Sequence, residues 1–246
     1  MNEPGRGSRV QRVRHEIKRR SVEVSRVEAL SPGFKRITFT GASLGDFVSA
    51  SFDDHIKFVL DRADGQPVMR DYTPRSYSQE SRELTIEFAL HGDGPAAQWA
   101  SQASPGQRVT IAGPRGSFVI PLDYAWHLFV GDETALPAVA RRLEELPAGA
   151  QVFVLMHVAN PKDRRSFETA AALSVQWTDD TEDLIAAVRQ LPLPSGEGYA
   201  WCAGEAATMA ELRRLLVNDK GHDRHAIRAA AYWKKGAAAH HENLED

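Results

Sequence analysis

Trp126-His127-Leu128-Phe129-Val130-Gly131-Asp132-Glu133-Thr134-Ala135-Leu136-Pro137-Ala138-Val139-Ala140-Arg141-Arg142-Leu143 is the stretch where the chain changes period. Its first six residues form an apolar run of strand length. Leu136, Val139, Ala140, Leu143 and Leu146 then recur on one helical face until Pro147 stops it. A strand that feeds straight into a helix opens a parallel-sheet unit. The alternation continues with strands over 151–158 and 174–177, a helix over 181–191, a strand over 199–203, a helix over 206–217 and a last strand over 227–233. Upstream of Asp123 the signal is different. Val22 to Val27 alternates, and short strand-like runs follow at 37–39, 56–60, 71–78, 84–90 and 108–112, with one short helix over 95–102. Six short strands at hairpin spacing predict an antiparallel barrel. The expected fold is therefore β plus α/β: a basic mobile arm over 1–20, a six-stranded antiparallel barrel over 21–123, a parallel-sheet α/β domain over 124–236, and a tail over 237–246.

A length of 246 residues suits two modest domains. Hydrophobic residues make up 42% and charged residues 26%, and no charge-free run approaches the ~18 residues of a membrane helix. Integral membrane and fully disordered classes are excluded. A single cysteine, Cys202, rules out a disulfide framework, a four-cysteine zinc site and a cysteine-ligated iron–sulfur cluster supplied by this chain. The nine histidines show no compact metal-site spacing, and no G-x-S-x-G elbow is present, so neither a metal centre nor serine hydrolysis is expected. The Arg- and Lys-rich N-terminus lacks the apolar core of a secretory signal, which predicts a cytoplasmic chain; a monomer is expected. Residues 1–20 hold seven basic residues against Glu3 and Glu16, while the rest carries 23 basic and 31 acidic residues. A solvated arm is the simplest reading of that asymmetry, with no nucleic-acid role.

Four segments can carry chemistry. In Arg70-Asp71-Tyr72-Thr73-Pro74-Arg75, two arginines, an aromatic ring and a hydroxyl sit at a strand entrance. Composition alone favours the plainer reading, a decorated barrel strand on a wet face. His91-Gly92-Asp93-Gly94-Pro95-Ala96-Ala97 is a strand end with two glycines that opens a helix. That is either a phosphate cradle or an ordinary turn with Pro at the first helical position. Gly131-Asp132-Glu133-Thr134 and Ala203-Gly204-Glu205 end two strands of the parallel sheet, where a ligand crevice opens; the former reads also as a helix start capped by Thr134 or Asp132. The G-x-G-x-x-G fingerprint is absent. Cys202, within an apolar strand, reads as a small buried hydrophobe.

The order of barrel then α/β unit is that of ferredoxin-reductase-like flavoproteins, and Arg70-x-Tyr72-Thr73-x-Arg75 resembles the flavin signature of siderophore-interacting proteins, the NAD(P)H-dependent ferric-siderophore reductases. Residues 91–100, 112–118 and 131–138 resemble further segments of that family in order and spacing, so the resemblance covers about residues 20 to 236. It implies FAD held by Arg70, Tyr72, Thr73, Arg75, His91, Gly94, Ala96 and Ala97, and NADPH or NADH held by Gly131, Asp132, Glu133, Thr134, Gly204 and Glu205. It further implies an anionic ferric siderophore, catecholate or hydroxamate, met by Lys57, Arg115, Lys234 and Lys235. Lys162, Arg164 and Arg165 would suit a 2′-phosphate, or else form a solvated loop. Electron transfer needs no acid or base, so none is assigned. A general flavin or ferric-chelate reductase and a non-catalytic siderophore-binding flavoprotein are the alternatives.

Overall fold

The computed structural model describes residues 9–61, 65–90, 94–237 and 242–244. Its N-terminal half is built on β2 (Arg19–Ser31), β3 (Phe34–Thr40), β4 (Ile56–Leu60), β5 (Val68–Tyr72), β6 (Ser76–Ser78), β7 (Glu83–Ala89) and β8 (Arg108–Ala112), with helix α1 (Pro95–Ser101) before β8. These seven strands form one antiparallel ladder in the order β5-β4-β8-β2-β3-β7-β6. β5 and β6 are its opposite edges, yet Thr73-Pro74-Arg75 alone separates them. A sheet whose two ends are joined by three residues has to curl. The expectation of six strands is corrected here: the run expected over 71–78 is two strands, because Pro74 has no N–H to offer a ladder and the chain crosses from one edge to the other at that point.

Alternation explains the core. On β2, Val22 and Val24 point inward, and Ile37, Phe39, Phe58, Leu84, Ile86, Phe88 and Ile111 meet them, with Trp99 of α1 stacked on Phe39 at 6.2 Å between ring centres. The basic N-terminal segment is not a free arm where it is described. β1 (Gln11–Arg14) pairs antiparallel with β9 (Gly116–Val119), and the Arg9 guanidinium reaches Asp123 and, at 3.0 Å, Glu197, while lying over the Tyr124 ring.

The C-terminal half is a sheet of β10 (Trp126–Gly131), β11 (Gln151–His157), β12 (Ala172–Thr178), β13 (Gly198–Glu205) and β14 (Ile227–Trp233) in parallel, ordered β12-β11-β10-β13-β14. β10 is buried along its whole length, as its unbroken apolar run requires. Helices α2 (Leu136–Glu145), α3 (Thr181–Gln190) and α4 (Ala206–Arg214) cover the sheet, α4 running on into a π-helical turn over Leu215–Asp219. Part of the expected tail is ordered as well: β15 (Glu242–Asn243) pairs antiparallel with Ala231 and Ala230 and covers the β14 edge.

Helix α2 joins the two halves, and it does so with charge. Arg141 is buried and donates to Ser49 Oγ, Ser49 O and Pro74 O, each at 2.8 Å; Arg142 donates to Ile120 O at 2.9 Å and Pro121 O at 2.8 Å. Glu144 receives Arg75, and Phe52 from the barrel stands edge-on to both Phe129 and Trp201. Asp163 accepts from Gly33 N at 2.8 Å and Ser31 Oγ at 2.6 Å, with so little space that a Cβ on Gly33 would stand 2.2 Å from its carboxylate. Replacing Arg141 by Met strands three buried acceptors and should lower stability by about 3 kcal/mol in chemical denaturation. A loss under about 1 kcal/mol would show that the seam does not lean on it.

His127 is fully buried beside Phe129, and burial, reinforced by Arg142, lowers its pKa from 6.5 to about 4. The unfolded chain therefore binds this proton more readily than the folded one. Its contribution to stability is whole above pH 6.5 and declines as the pH falls toward about 4, by about 3 kcal/mol in all. His127→Phe should flatten that part of the stability profile; an unchanged slope between those two pH values would refute the assignment.

Candidate functional site

The order β12-β11-β10-β13-β14 reverses direction between β10 and β13, and in such sheets the crevice for ligands lies at the carboxyl ends of the two strands flanking the reversal. Gly131-Asp132 ends β10 and Gly204-Glu205 ends β13, so the sequence-predicted turns meet side by side. Asp132 is their hub. Its Oδ1 accepts from Thr134 N at 2.9 Å and from the Thr134 hydroxyl, while Oδ2 accepts from Glu205 N at 2.9 Å and Trp233 Nε1 at 2.8 Å. One carboxylate thus ties the ends of β10, β13 and β14. Gly204, at φ 154°, makes room for it: a Cβ there would sit 2.4 Å from Oδ2. Gly131 is equally confined, 2.3 Å from Ala203 O by the same construction. Asp132, rather than Thr134, is the cap of the short 3-10 turn over Glu133–Ala135.

Glu205 caps α4, accepting from Ala207 N at 2.7 Å and Thr208 N at 3.1 Å, and it accepts Lys235 N at 3.3 Å. Burial alone would raise its pKa, but these N–H donors outweigh it and hold the carboxyl below the usual range.

The barrel side of the seam is formed by the end of β5. Tyr72 is packed against Phe88 at 4.4 Å and Phe58 at 5.8 Å between ring centres, and burial drives its hydroxyl pKa upward despite Arg70. Thr73 is buried near Tyr232 of β14; burial drives the Tyr232 hydroxyl pKa upward, and the Thr73 side chain partly offsets that rise. The Arg-x-Tyr-Thr strand and the last strand of the parallel sheet therefore meet. Arg70 donates to Met69 O at 2.9 Å. Arg75 turns the other way, into a buried cluster: Glu144 at 2.8 Å and Glu87 at 3.4 Å, the latter also held by Arg36 at 2.7 Å and Arg165 at 2.6 Å. Burial would raise the Glu87 pKa, yet the three guanidiniums keep it lowered.

At α1, Gly94 is the N-cap residue; having no side chain, it satisfies none of the first-turn N–H groups. A Cβ on it would meet nothing, the first turn holds no acidic residue, and Ala96 and Ala97 are buried beneath. His91 lies outside the described residues. Lys57 faces Asp71 across the β4–β5 ladder at 2.8 Å; Arg115, Lys234 and Lys235 are exposed. The expected cation cluster at 162–165 is not assembled: Arg165 is drawn inward to Glu87 and over the Phe34 ring, and Arg164 pairs with Asp179. Among the described residues no three His, Cys, Asp or Glu side chains gather as a metal site, and no helix is long and apolar enough to cross a membrane. Burial pushes the Cys202 thiol up to about 12, so it is no nucleophile.

Sequence reasoning missed Ser49, Asp71, Glu87, Arg141 and Glu144. The proximity of Asp71 to Tyr72 in the motif was the one signal available for any of them.

The model of the siderophore-interacting FAD-binding domain matches residues 23–67 and 61–118, and that of the siderophore-interacting protein family matches residues 124–236. The chain is 36% identical over 245 residues to the NADPH-dependent ferric-chelate reductase of Escherichia coli, covering 91% of this chain and 96% of that one. It is 31% identical over 253 residues to the ferric vibriobactin reductase of Vibrio cholerae, covering 91% and 93%. Among solved structures, a siderophore utilization protein from T. fusca superposes with a TM-score of 0.87 at 30% identity, over 94% of this chain and 98% of that one. A flavohemoglobin from Malassezia yamatoensis with bound FAD and heme shares the fold, at TM-score 0.66 and 15% identity. The ferredoxin-reductase-like architecture is thereby established, and FAD is its cofactor. The residues present fit that group: an aromatic and a hydroxyl end β5 at the seam, and α1 starts on an open glycine with no side-chain cap and, among the described residues, no acid in its first turn. Both halves are matched in order, and the curated relatives are matched over nearly their whole lengths, so this chain belongs to the siderophore-interacting protein family.

Proposed function

We propose that this chain is a cytoplasmic ferric-siderophore reductase, passing electrons from NADPH or NADH through FAD to siderophore-bound Fe(III) and releasing Fe(II). The observation that carries the reading is the hold of the parallel-sheet half on the Arg-x-Tyr-Thr-x-Arg segment: buried Arg141 of α2 donates to Pro74 O, next to Thr73, at 2.8 Å, and Glu144 receives Arg75 at 2.8 Å. Names of relatives support it, since those proteins are reductases of ferric chelates and ferric vibriobactin, and one is named NADPH-dependent.

FAD, when bound, converts the paired electrons of a nicotinamide donor into the single electrons that Fe(III) accepts. The chain supplies the rest. In this reading residues 21–123 hold the cofactor, with Tyr72 and Thr73 at its ring, Arg70 as a cationic neighbour, Arg75 bracing the segment through Glu144 and Glu87, and Gly94, Ala96 and Ala97 at its diphosphate. Residues 124–236 take the nicotinamide donor at Gly131, Asp132, Glu133, Thr134, Gly204 and Glu205. Asp132 fixes the shape of that wall. Lys57, Arg115, Lys234 and Lys235 draw in the anionic chelate by charge complementarity. The chain does not have to ligate iron: hard oxygen donors hold Fe(III) far better than Fe(II), so reduction loosens the chelate. Electron transfer of this kind calls for no acid or base in the protein.

Steady-state oxidation of NADPH and NADH with a ferric catecholate, a ferric hydroxamate and a ferredoxin tests the function. Turnover with the ferric chelates supports it; a protein acceptor reduced equally well would favour a general flavin reductase, and no turnover with any acceptor a carrier. Arg70→Ala combined with Tyr72→Ala should abolish the flavin absorption of the purified protein, and full occupancy in that variant would remove both residues from the cofactor site. Replacing Lys57 and Lys235 together by Ala should raise KM for anionic ferric chelates, more at low salt, with FAD retained. Unchanged kinetics would return both lysines to the solvated surface.

A further inference from the structure

Lys57 and Asp71 are Cα partners in the β4–β5 ladder, and Lys57 Nζ lies 2.8 Å from Asp71 Oδ2. The lysine side chain is 48% exposed and the aspartate 18%, so the ammonium looks outward and the carboxylate sits behind it in the wall. Asp71 Oδ1 is buried and has no hydrogen-bond partner. Asp71 stands between Arg70 and Tyr72 on β5, the strand that runs into the Thr73-Pro74-Arg75 crossing at the seam. The neighbouring Arg70 spends an N–H on Met69 O, and Lys57 is the cation that answers Asp71. A carboxylate has thus been built into the face that the proposed function gives to an anionic chelate.

That arrangement has an electrostatic consequence. A cation paired at 2.8 Å presents a dipole, whose field falls off faster than that of a charge. A tris-catecholate complex of Fe(III) is a trianion, and it meets Lys57 with most of its attraction cancelled and Asp71 repelling it. A tris-hydroxamate complex is neutral and indifferent to both. We propose that Asp71 is the charge-selecting residue of the chelate site, a built-in counter-ion to Lys57 that biases this reductase away from trianionic catecholates toward neutral or weakly charged ferric chelates. The inference rests on the reading of Lys57 as part of that site.

The test is NADPH-driven reduction by the FAD-loaded full chain, with ferric tris-catechol and ferric tris-acetohydroxamate as acceptors at low and high salt. Asp71→Asn should lower KM for the tris-catechol complex about two- to fivefold at low salt, with the gain shrinking at high salt. KM for the hydroxamate and the flavin absorption should not change. An unchanged catechol KM, or an equal shift with both chelates, overturns the proposal. Asp71→Ser carries the same expectation should the Asn variant lose FAD, and loss of FAD from both would make Asp71 part of the cofactor site and overturn it too. Lys57→Ala separates the two readings. A raised catechol KM in that variant beside an unaffected Asp71→Asn sinks the counter-ion and keeps the chelate site, whereas no effect of Lys57→Ala on either chelate sinks both.

Discussion

Two adjacent arginines taken out of water at the seam between the sheets are the constraint on which the rest of the molecule depends. Burying a guanidinium is costly unless its donors are met, and here main-chain carbonyls of the other half meet most of them: Ser49 and Pro74 for Arg141, Ile120 and Pro121 for Arg142, whose buried Nε is left without a hydrogen bond. Arg142 also lies over the Phe52 ring, 5.1 Å from its centre. Because carbonyls are fixed by the backbone, such bonds set position more tightly than pairs of flexible side chains would. Pro74 lies within the three-residue crossing that closes the curled sheet. Helix α2 therefore holds the very segment that carries Thr73 and Arg75, and the barrel end of the site is placed by the α/β half.

The same economy of parts appears at Asp132. A carboxylate with four acceptor directions is used in all of them, and the glycine beneath it is the consequence. Under the proposed function, the turn serves the nicotinamide donor without the glycine-rich fingerprint of dinucleotide sites. There, glycines let a phosphate approach the backbone; here, Gly204 lets a side chain of the protein approach it, and the shape of the crevice is set before any ligand arrives.

Where local pattern and tertiary role coincide, the chain could be read directly. The change of period at Trp126, the strand–helix alternation after it and the pairing of the Gly131 and Gly204 turns all follow from burial on regular elements. The candidate residues on β5 and at the turns were picked out by their resemblance to segments of the family, since composition alone read the β5 motif as a decorated strand. What failed to show was polar burial. Arg141, Arg142, Glu144 and Glu145 read as the wet side of an amphipathic helix, since nothing local distinguishes an arginine that meets water from one that meets carbonyls 92 or 67 residues away. Glu87 alternates with Ile86 and Phe88 as an outward residue would, yet it is wholly buried under Arg36, Arg75 and Arg165. The N-terminal segment misled in the same way: its charge suggested a solvated arm, but a strand partner at Gly116–Val119 and acids at 123 and 197 exist for it only in three dimensions.

These contacts also bear on how the site operates. Phe52 is wedged against Phe129 and Trp201, Asp163 is pressed onto Gly33, and Glu87 binds arginines from both halves. A seam with apolar wedges and charge clusters on both flanks resists hinge opening, because opening would expose the aromatic surface and leave several buried charges unmatched at once. Tunnelling and hydride steps fall steeply with distance, so a rigid seam favours them by fixing separations during folding rather than at each turnover. Under the proposed function, donor and chelate reach the site along its open margins, over the surfaces where Trp233, Lys234, Lys235 and Lys57 are exposed, and selection among them falls to the charges on those margins rather than to closure of the domains.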